Sequence, residues 1–160
     1  MAVAPRVEVW QRCYPKAWPR ASASTRGLCE RLGREFKAAP SYLELLNTTF
    51  ALVPAGRQPA SYRLAEVMAA GAVPVFVSGD KRTSSPYVRP FGEIIDWPSI
   101  SLHFAWDSVA AIPHALRRLS PERVAAMQRG VRLAWRNHLH PRVASRTFYA
   151  LVEARAHSHM

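Results

Sequence analysis

The stretch from residue 49 to 79 constrains the fold of this chain more than any other feature. It consists of a short apolar run from Phe50 to Val53, a loop with glycine and proline, an amphipathic segment, and a second apolar run from Val73 to Val77. Short continuous apolar runs are typical of strands buried on both faces of a parallel sheet. The pattern therefore predicts a right-handed β-α-β unit within an α/β fold.

Two residues mark the ends of the helix in this unit. Ser61 is a favourable N-cap, because its hydroxyl can accept a hydrogen bond from an amide of the first turn. Gly71 stands where helices commonly end. Between them Leu64, Val67 and Met68 recur at helical spacing, which predicts one buried face.

Polar residues gather in the connection where a ligand can reach them. Ligands of open parallel sheets bind beyond the carboxyl ends of the strands, which places Gly56, Arg57, Ser61 and the first helical turn at the expected site. Unpaired amides at a helix start attract phosphate, and Arg63 adds fixed charge. Glu66 follows on the same helical face, where its carboxylate can accept hydrogen bonds from sugar hydroxyls. The pattern indicates a nucleotide-sugar site, while a solvent-facing Arg63/Glu66 ion pair stays open as the alternative.

These residues and their neighbours resemble the signature of the exostosin family of glycosyltransferases. The central matches are Phe50-Ala-Leu-Val-Pro54, Gly56-Arg57, Ser61, Arg63, Glu66, Ala70-Gly71, Val73-Pro74-Val75 and Ser78. The flanking matches are Tyr42-Leu43-Glu44-Leu45-Leu46, Pro90-Phe91 and Ile95-Asp96-Trp97. The similarity covers roughly residues 40 to 140. Family members often carry cysteines where this chain has Ala51 and Ala72. Any disulfide that those cysteines form in the family is therefore absent from this chain.

The resemblance implies a GT-B enzyme, in which two Rossmann-like halves enclose the active site. This chain is similar to the donor-binding half, a Rossmann-like parallel sheet with helices on both faces. The resemblance implies that Arg63 faces the diphosphate, that Glu66 engages the ribose or the sugar, and that Gly56, Arg57 and Ser61 line the same pocket. By its position at the carboxyl end of the second strand, Ser78 is expected to touch the donor sugar.

The implied reaction is transfer of a sugar, with inversion, from a nucleoside diphosphate sugar to a polysaccharide or glycan acceptor. The expected donor is a UDP-sugar, which is a substrate of the reaction, and no cofactor is expected. The chain has no DxD motif, which fits stabilisation of the leaving diphosphate by Arg63 instead of by a metal ion. No metal site is expected, and the sequence identifies no catalytic base.

The length fits one half of such an enzyme. The 160 residues are expected to form a single Rossmann-like nucleotide-sugar-binding domain, with a first βα unit in 1–39, the donor-site core in 40–104 and C-terminal helices in 105–160. The acceptor-binding half is therefore expected to be missing, and the chain to be a fragment. The resemblance implies a luminal location at the Golgi membrane, although this sequence shows neither an apolar run of about 20 residues nor a signal peptide.

A net charge of +11 and a pI near 10.8 favour anionic partners. Three kinds of anionic partner would complement this positive charge: the donor nucleotide, an anionic polysaccharide acceptor and nucleic acid. The basic residues are dispersed and no zinc-finger, RNP or KH pattern is present, so nucleic acid is not the expected partner. Two alternatives to a transferase are kept open. One is a stand-alone nucleotide- or phosphate-binding domain, and the other, weaker, is a basic nucleic-acid-binding module.

Outside the central unit the sequence predicts further regular elements. They are a strand at 7–10, a helix at 25–36, a short helix at 42–47, a strand at 100–104, and helices beginning near 107, 121 and 142. Phe91, Ile94 and Ile95 are expected to contact the core, in a segment that ends at Trp97-Pro98. The tryptophans Trp97, Trp106 and Trp135 are expected to pack in the core.

Several polar features have more than one reading. Cys13 and Cys29 form either a disulfide or two separate thiols. A glycosylation sequon begins at Asn47, but it stands close to a buried strand, so we favour chance. His103 and Asp107 have the chemistry of a general base, but a structural role for a histidine on an edge strand is the expectation.

Overall fold

The computed structural model describes residues 46–55, 60–78 and 88–158. Within them the chain forms a sheet whose strands follow in the order β1 (Phe50–Pro54), β2 (Val73–Ser78) and β3 (Leu102–Ala105). Both strand pairs are parallel, with Phe50 opposite Val73 and Ser78 opposite Ala105. The carboxyl ends of the strands therefore lie along one edge, where the sequence predicts the site. The predicted elements at 7–10 and 25–36, most of the helix at 42–47, and Cys13 and Cys29 lie outside the described residues.

Helices of different lengths connect and follow these strands. They are α1 (Arg63–Ala69), α2 (Trp97–Ile100), a 3-10 helix (Trp106–Ala111), α3 (Ile112–Arg117), α4 (Pro121–Ala134), a π-helical turn (Trp135–Leu139) and α5 (Pro141–Ser158). The break between the π-helical turn and α5 falls at His140-Pro141, as the sequence predicts, because proline cannot continue the hydrogen-bond ladder.

Two apolar clusters cover the two faces of the sheet. Because side chains alternate along a strand, Phe76 of β2 points to one face and its neighbours Val75 and Val77 point to the other. The Phe76 face packs against α1, α2 and α4, and the Val75 face packs against α3. The α/β fold with a parallel sheet and helices on both faces is therefore confirmed.

The end of α1 follows the predicted capping, but its start does not: Tyr62, not Ser61, is the N-cap, and the Tyr62 side chain makes no capping hydrogen bond. Ser61 Oγ accepts a hydrogen bond from the Arg63 amide at 3.3 Å, although the regular helix begins two residues after the serine. Gly71 follows the last turn with a φ of +74°, a conformation that favours glycine. The helix buries Leu64, Val67 and Met68, the predicted apolar face.

Burial of the strands differs from the expectation for β1. All six residues of β2 are buried, as a strand between two helical layers requires. In β1, Val53 is fully buried but Leu52 is 38% exposed. The reason is position, since β1 pairs only with β2 among the described strands whereas β2 pairs on both sides.

Three local predictions after β2 are wrong in detail. The sequence predicts that Trp97 ends the preceding segment, but Trp97 begins the short helix α2, which runs to Ile100. Strand β3 therefore starts at Leu102 and not at the predicted residue 100. The helix predicted from residue 107 is a 3-10 helix followed by α3, because Pro113 lacks an amide hydrogen and suits only the first turn of an α-helix. Trp106 does not pack in the core, since it lies just beyond the end of β3 with 57% of its surface exposed.

Candidate functional site

Four of the six predicted donor-binding residues fall in the described part of the chain. Ser61 lies two residues before α1 and accepts a hydrogen bond from the amide of Arg63. Arg63 is the half-buried first residue of α1, and Glu66 is exposed one turn later. Ser78 ends β2 at the same edge of the sheet. The other two predicted site residues, Gly56 and Arg57, lie outside the described residues.

Ser78 is buried and hydrogen-bonded to a residue that the sequence analysis did not place in the site. Its Oγ lies 2.6 Å from Nε2 of His103. The register explains the contact, because Phe76 pairs with His103, which puts the imidazole on the same face as Ser78. The pairing suggested from the sequence, His103 with Asp107, is not present: Asp107 accepts a hydrogen bond from Ser108 instead.

Arg89 is the second residue of this edge that the sequence analysis missed. Its guanidinium carbon lies 5.5 Å from the centre of the Phe76 ring, a cation–π distance. Its Nε is buried, and none of the described residues accepts a hydrogen bond from it. Partial burial, and then the positive charge of Arg89, lower the pKa of His103 below its ordinary value of 6.5. The imidazole is therefore neutral at pH 7.

The backbone beside Arg89 is held by the core. Trp97 is 2% exposed and its Nε1 donates a hydrogen bond to the carbonyl oxygen of Pro90 at 2.9 Å. The indole also packs edge-to-face against Phe76, with ring centres 5.7 Å apart. Phe76 thus supports the guanidinium of Arg89, and Trp97 holds the backbone of the next residue, Pro90.

An apolar cavity opens beside the start of α1. Its volume is about 350 Å³, and its walls include Ser61, Leu64 and Met68 on one side and Val88, Trp135 and Leu139 on the other. A different cavity of about 500 Å³ lies between residues 88–93 and α5. Only the first is lined by a predicted site residue, so it is the cavity relevant to the site.

The lowered pKa of His103 predicts a pH-dependent stability. Because the unfolded chain binds this proton more readily than the folded chain, the contribution of His103 is fully present above pH 6.5. It is lost as the pH falls through the lower pKa of the folded state. Urea denaturation measures the free energy of unfolding of the wild type and of His103→Gln. We expect the wild-type value minus the variant value to be smaller at pH 5 than at pH 7.5. An equal difference at the two pH values would contradict the lowered pKa.

Among the described residues, no group of three or more histidine, cysteine, aspartate or glutamate side chains is arranged to hold a metal ion. The expectation that the site needs no metal stays a prediction. None of the described helices has both the length and the hydropathy that a membrane span requires.

Comparison with known proteins connects this site to a family. The model of the Exostosin GT47 domain matches residues 4–119, which include α1, β2, Arg89 and His103. An Exostosin-1 homolog of Caenorhabditis elegans is 36% identical over 105 residues, 65% of this chain and 26% of that protein. Exostosin-1 of Bos taurus is 30% identical over 123 residues, 76% of this chain and 15% of that protein.

Exostosin-1 of Drosophila melanogaster gives a similar result, with 29% identity over 110 residues, 69% of this chain and 14% of that protein. The chain therefore spans about a quarter or less of the length of these relatives. The domain match nevertheless covers most of the chain and includes the sheet edge described above. This chain belongs to the exostosin family of glycosyltransferases.

Proposed function

We propose that this chain forms the donor-binding side of a glycosyltransferase that uses a nucleoside diphosphate sugar, specifically a UDP-sugar. The observation that carries the proposal is the position of Arg63. It begins α1 at the carboxyl edge of a parallel sheet, within the residues that match the family model. Ligands of such sheets bind at this edge, and an arginine there suits a diphosphate.

Arg63 is assigned the main electrostatic role. When the bond to the sugar breaks, negative charge develops on the leaving diphosphate, and a fixed guanidinium stabilises that charge. The helix itself adds less, because α1 has only seven residues and few aligned peptide dipoles. Glu66, one turn along α1, is assigned to the ribose or sugar hydroxyls. Gly56 and Arg57 are proposed to complete the pocket.

The apolar cavity beside Ser61 suits the base of the donor. Its walls are mostly aliphatic and aromatic, and Ser61 joins it to the first turn of α1, where Arg63 stands. A flat uracil ring can bury its faces against such walls while the diphosphate stays at the helix start. We assign the nucleobase to this cavity.

Other parts of the proposal come from the family alone. They are the GT-B architecture with an acceptor-binding half, inversion at the transferred sugar, a polysaccharide or glycan acceptor, and location at the luminal side of the Golgi membrane. The residue that deprotonates the acceptor hydroxyl is not assigned. A stand-alone nucleotide- or phosphate-binding domain would share the donor site but would not transfer sugar.

Calorimetric titration with UDP tests the donor site. A charge-assisted hydrogen bond contributes about 1.5–3 kcal/mol. We therefore expect Arg63→Ala to weaken UDP binding by about 10- to 100-fold, and Glu66→Gln to weaken it by less. Arg117→Ala, which removes an exposed arginine from α3 on the opposite face of the sheet, is the matched control and should bind like the wild type.

Donor binding and sugar transfer are tested separately. Circular dichroism first establishes that each variant is folded. Folded wild-type protein that does not bind UDP, or an equal loss in Arg63→Ala and Arg117→Ala, would contradict the donor assignment. UDP binding without sugar transfer to any acceptor would instead favour the stand-alone binding domain.

A further inference from the structure

A cluster at the carboxyl end of β2 joins one predicted donor-site residue, Ser78, to two residues that the sequence did not place in that site. It consists of Arg89, which follows β2 in the chain, His103 on β3, and Ser78 at the end of β2. Arg89 and His103 interact electrostatically, and His103 and Ser78 share a hydrogen bond of 2.6 Å. The sheet register brings Ser78 and His103 together, and Arg89 reaches them from the segment after β2, where its guanidinium lies over the ring of Phe76.

Arg89 has unused capacity for hydrogen bonding. A guanidinium carries five N–H donors, and the buried Nε of Arg89 finds no acceptor among the described residues. No described carboxylate forms an ion pair with it, whereas Arg155 pairs with Glu93 nearby. Native proteins rarely leave a buried donor without an acceptor, so an unpaired one points to a water or an ion.

The surroundings of Arg89 fix its position, and among the described residues no carboxylate pairs with its charge. The ring of Phe76 supports the guanidinium, and the Trp97 hydrogen bond to Pro90 holds the adjacent backbone. His103 is neutral, and its Nε2 is occupied by Ser78, which leaves the other ring nitrogen for a further partner. A fixed guanidinium beside an imidazole that can gain a proton suits a negatively charged ligand.

We propose that Arg89 and His103 bind an oxyanion, a phosphate or carboxylate group of a ligand, at the carboxyl end of β2. Arg89 supplies the charge and the donors, with geometry that matches two oxygens of one group. Ser78 orients the imidazole, so its role is positioning. The site does not use Arg63 or Glu66, so the inference does not depend on the proposed function.

The pKa of His103 reports directly on this site and is measurable by NMR titration of the imidazole protons. The His103 signals are assigned by their absence from the spectrum of His103→Gln. We expect inorganic phosphate to raise the pKa of His103 by about 0.5 or more, because an opposite charge nearby favours the imidazolium. Sodium chloride at equal ionic strength is the control for screening of the Arg89 charge.

Variants at residue 89 separate charge from geometry. In Arg89→Gln the pKa of His103 should rise toward 6.5 without ligand, and phosphate should raise it little further. In Arg89→Lys the charge remains but the two-pronged geometry is lost, so the response to phosphate should be weaker than in the wild type. The control variant Arg117→Gln, on the opposite face of the sheet, should respond like the wild type.

A second titration, with UDP, distinguishes the sources of the oxyanion. If UDP also raises the pKa of His103 and competes with phosphate, the oxyanion belongs to the donor nucleotide. If only phosphate acts, the site takes a separate ligand. Both results support the site. A response to phosphate no larger than that to sodium chloride, or one equally large in Arg89→Gln, would overturn it.

Discussion

Replacing Trp97 by alanine is expected to lower the free energy of unfolding by about 3–5 kcal/mol. Trp97 is among the largest fully buried side chains of the described residues and is 2% exposed. Its removal leaves a cavity in the cluster that joins the sheet to α1, α2 and α4. It also removes the edge-to-face contact with Phe76 and the donor to the Pro90 carbonyl. Urea denaturation followed by far-ultraviolet circular dichroism measures the change.

Trp97→Phe separates the hydrogen bond from the packing. Phenylalanine keeps most of the apolar contact but leaves the Pro90 carbonyl without its donor, so we expect an intermediate loss, with about 1–3 kcal/mol from the unsatisfied carbonyl. Trp106→Ala is the matched control, because Trp106 is 57% exposed and surface substitutions usually change stability by about 0.5 kcal/mol or less. Equal losses from Trp97→Ala and Trp106→Ala would show that burial does not set the effect.

The comparison of these two tryptophans shows where prediction from sequence stops. Both stand among apolar neighbours, and the sequence analysis expected both to pack in the core. Trp97 starts α2 and points into the cluster beneath β2, whereas Trp106 follows the last residue of β3 and begins a 3-10 helix at the surface. The distinction depends on where β3 ends, and strand ends are set by pairing with β2 and not by local composition.

The β-α-β unit was predictable because its signals are local. The apolar strands, Ser61 just before α1 and the left-handed Gly71 just after it all lie within one short stretch, and each has a physical reason to occur where it does. The site residues Arg63 and Glu66 belong to the same stretch. Their position on α1 is accordingly confirmed, while their contacts with a donor stay a prediction.

Arg89 and His103 could not be found in the same way. His103 reaches Ser78 only because β2 and β3 pair with Phe76 opposite His103, a register that no local pattern specifies. Arg89 is one of many arginines in a chain of net charge +11, and its sequence neighbours do not set it apart. Only its place over the Phe76 ring, with a buried Nε, distinguishes it from the dispersed basic residues.

Gly130→Ala tests whether close packing of α4 against α2 requires glycine. A methyl group at this position would meet Cγ2 of Ile100 at 2.3 Å, and Ile100 is buried. Alanine favours the helix by about 1 kcal/mol, but overpacking typically destabilises by about 1–3 kcal/mol. The contact is far shorter than van der Waals distance and the β-branched Ile100 is stiff, so overpacking should win. An overpacking cost in the upper part of that range, about 2–3 kcal/mol, leaves a net loss of about 1–2 kcal/mol in the free energy of unfolding.

A double-mutant cycle with Ile100→Ala identifies the cause. Once the clashing methyl group is gone, Gly130→Ala should be neutral or stabilising, which gives a coupling energy of about 1–3 kcal/mol between the two positions. Gly92→Ala is the control, since that glycine is exposed and the nearest atom to the added methyl is the Arg89 carbonyl oxygen at 3.8 Å. If Gly130→Ala is equally destabilising with and without Ile100, the loss arises elsewhere in α4, and the close approach of α2 does not explain the glycine.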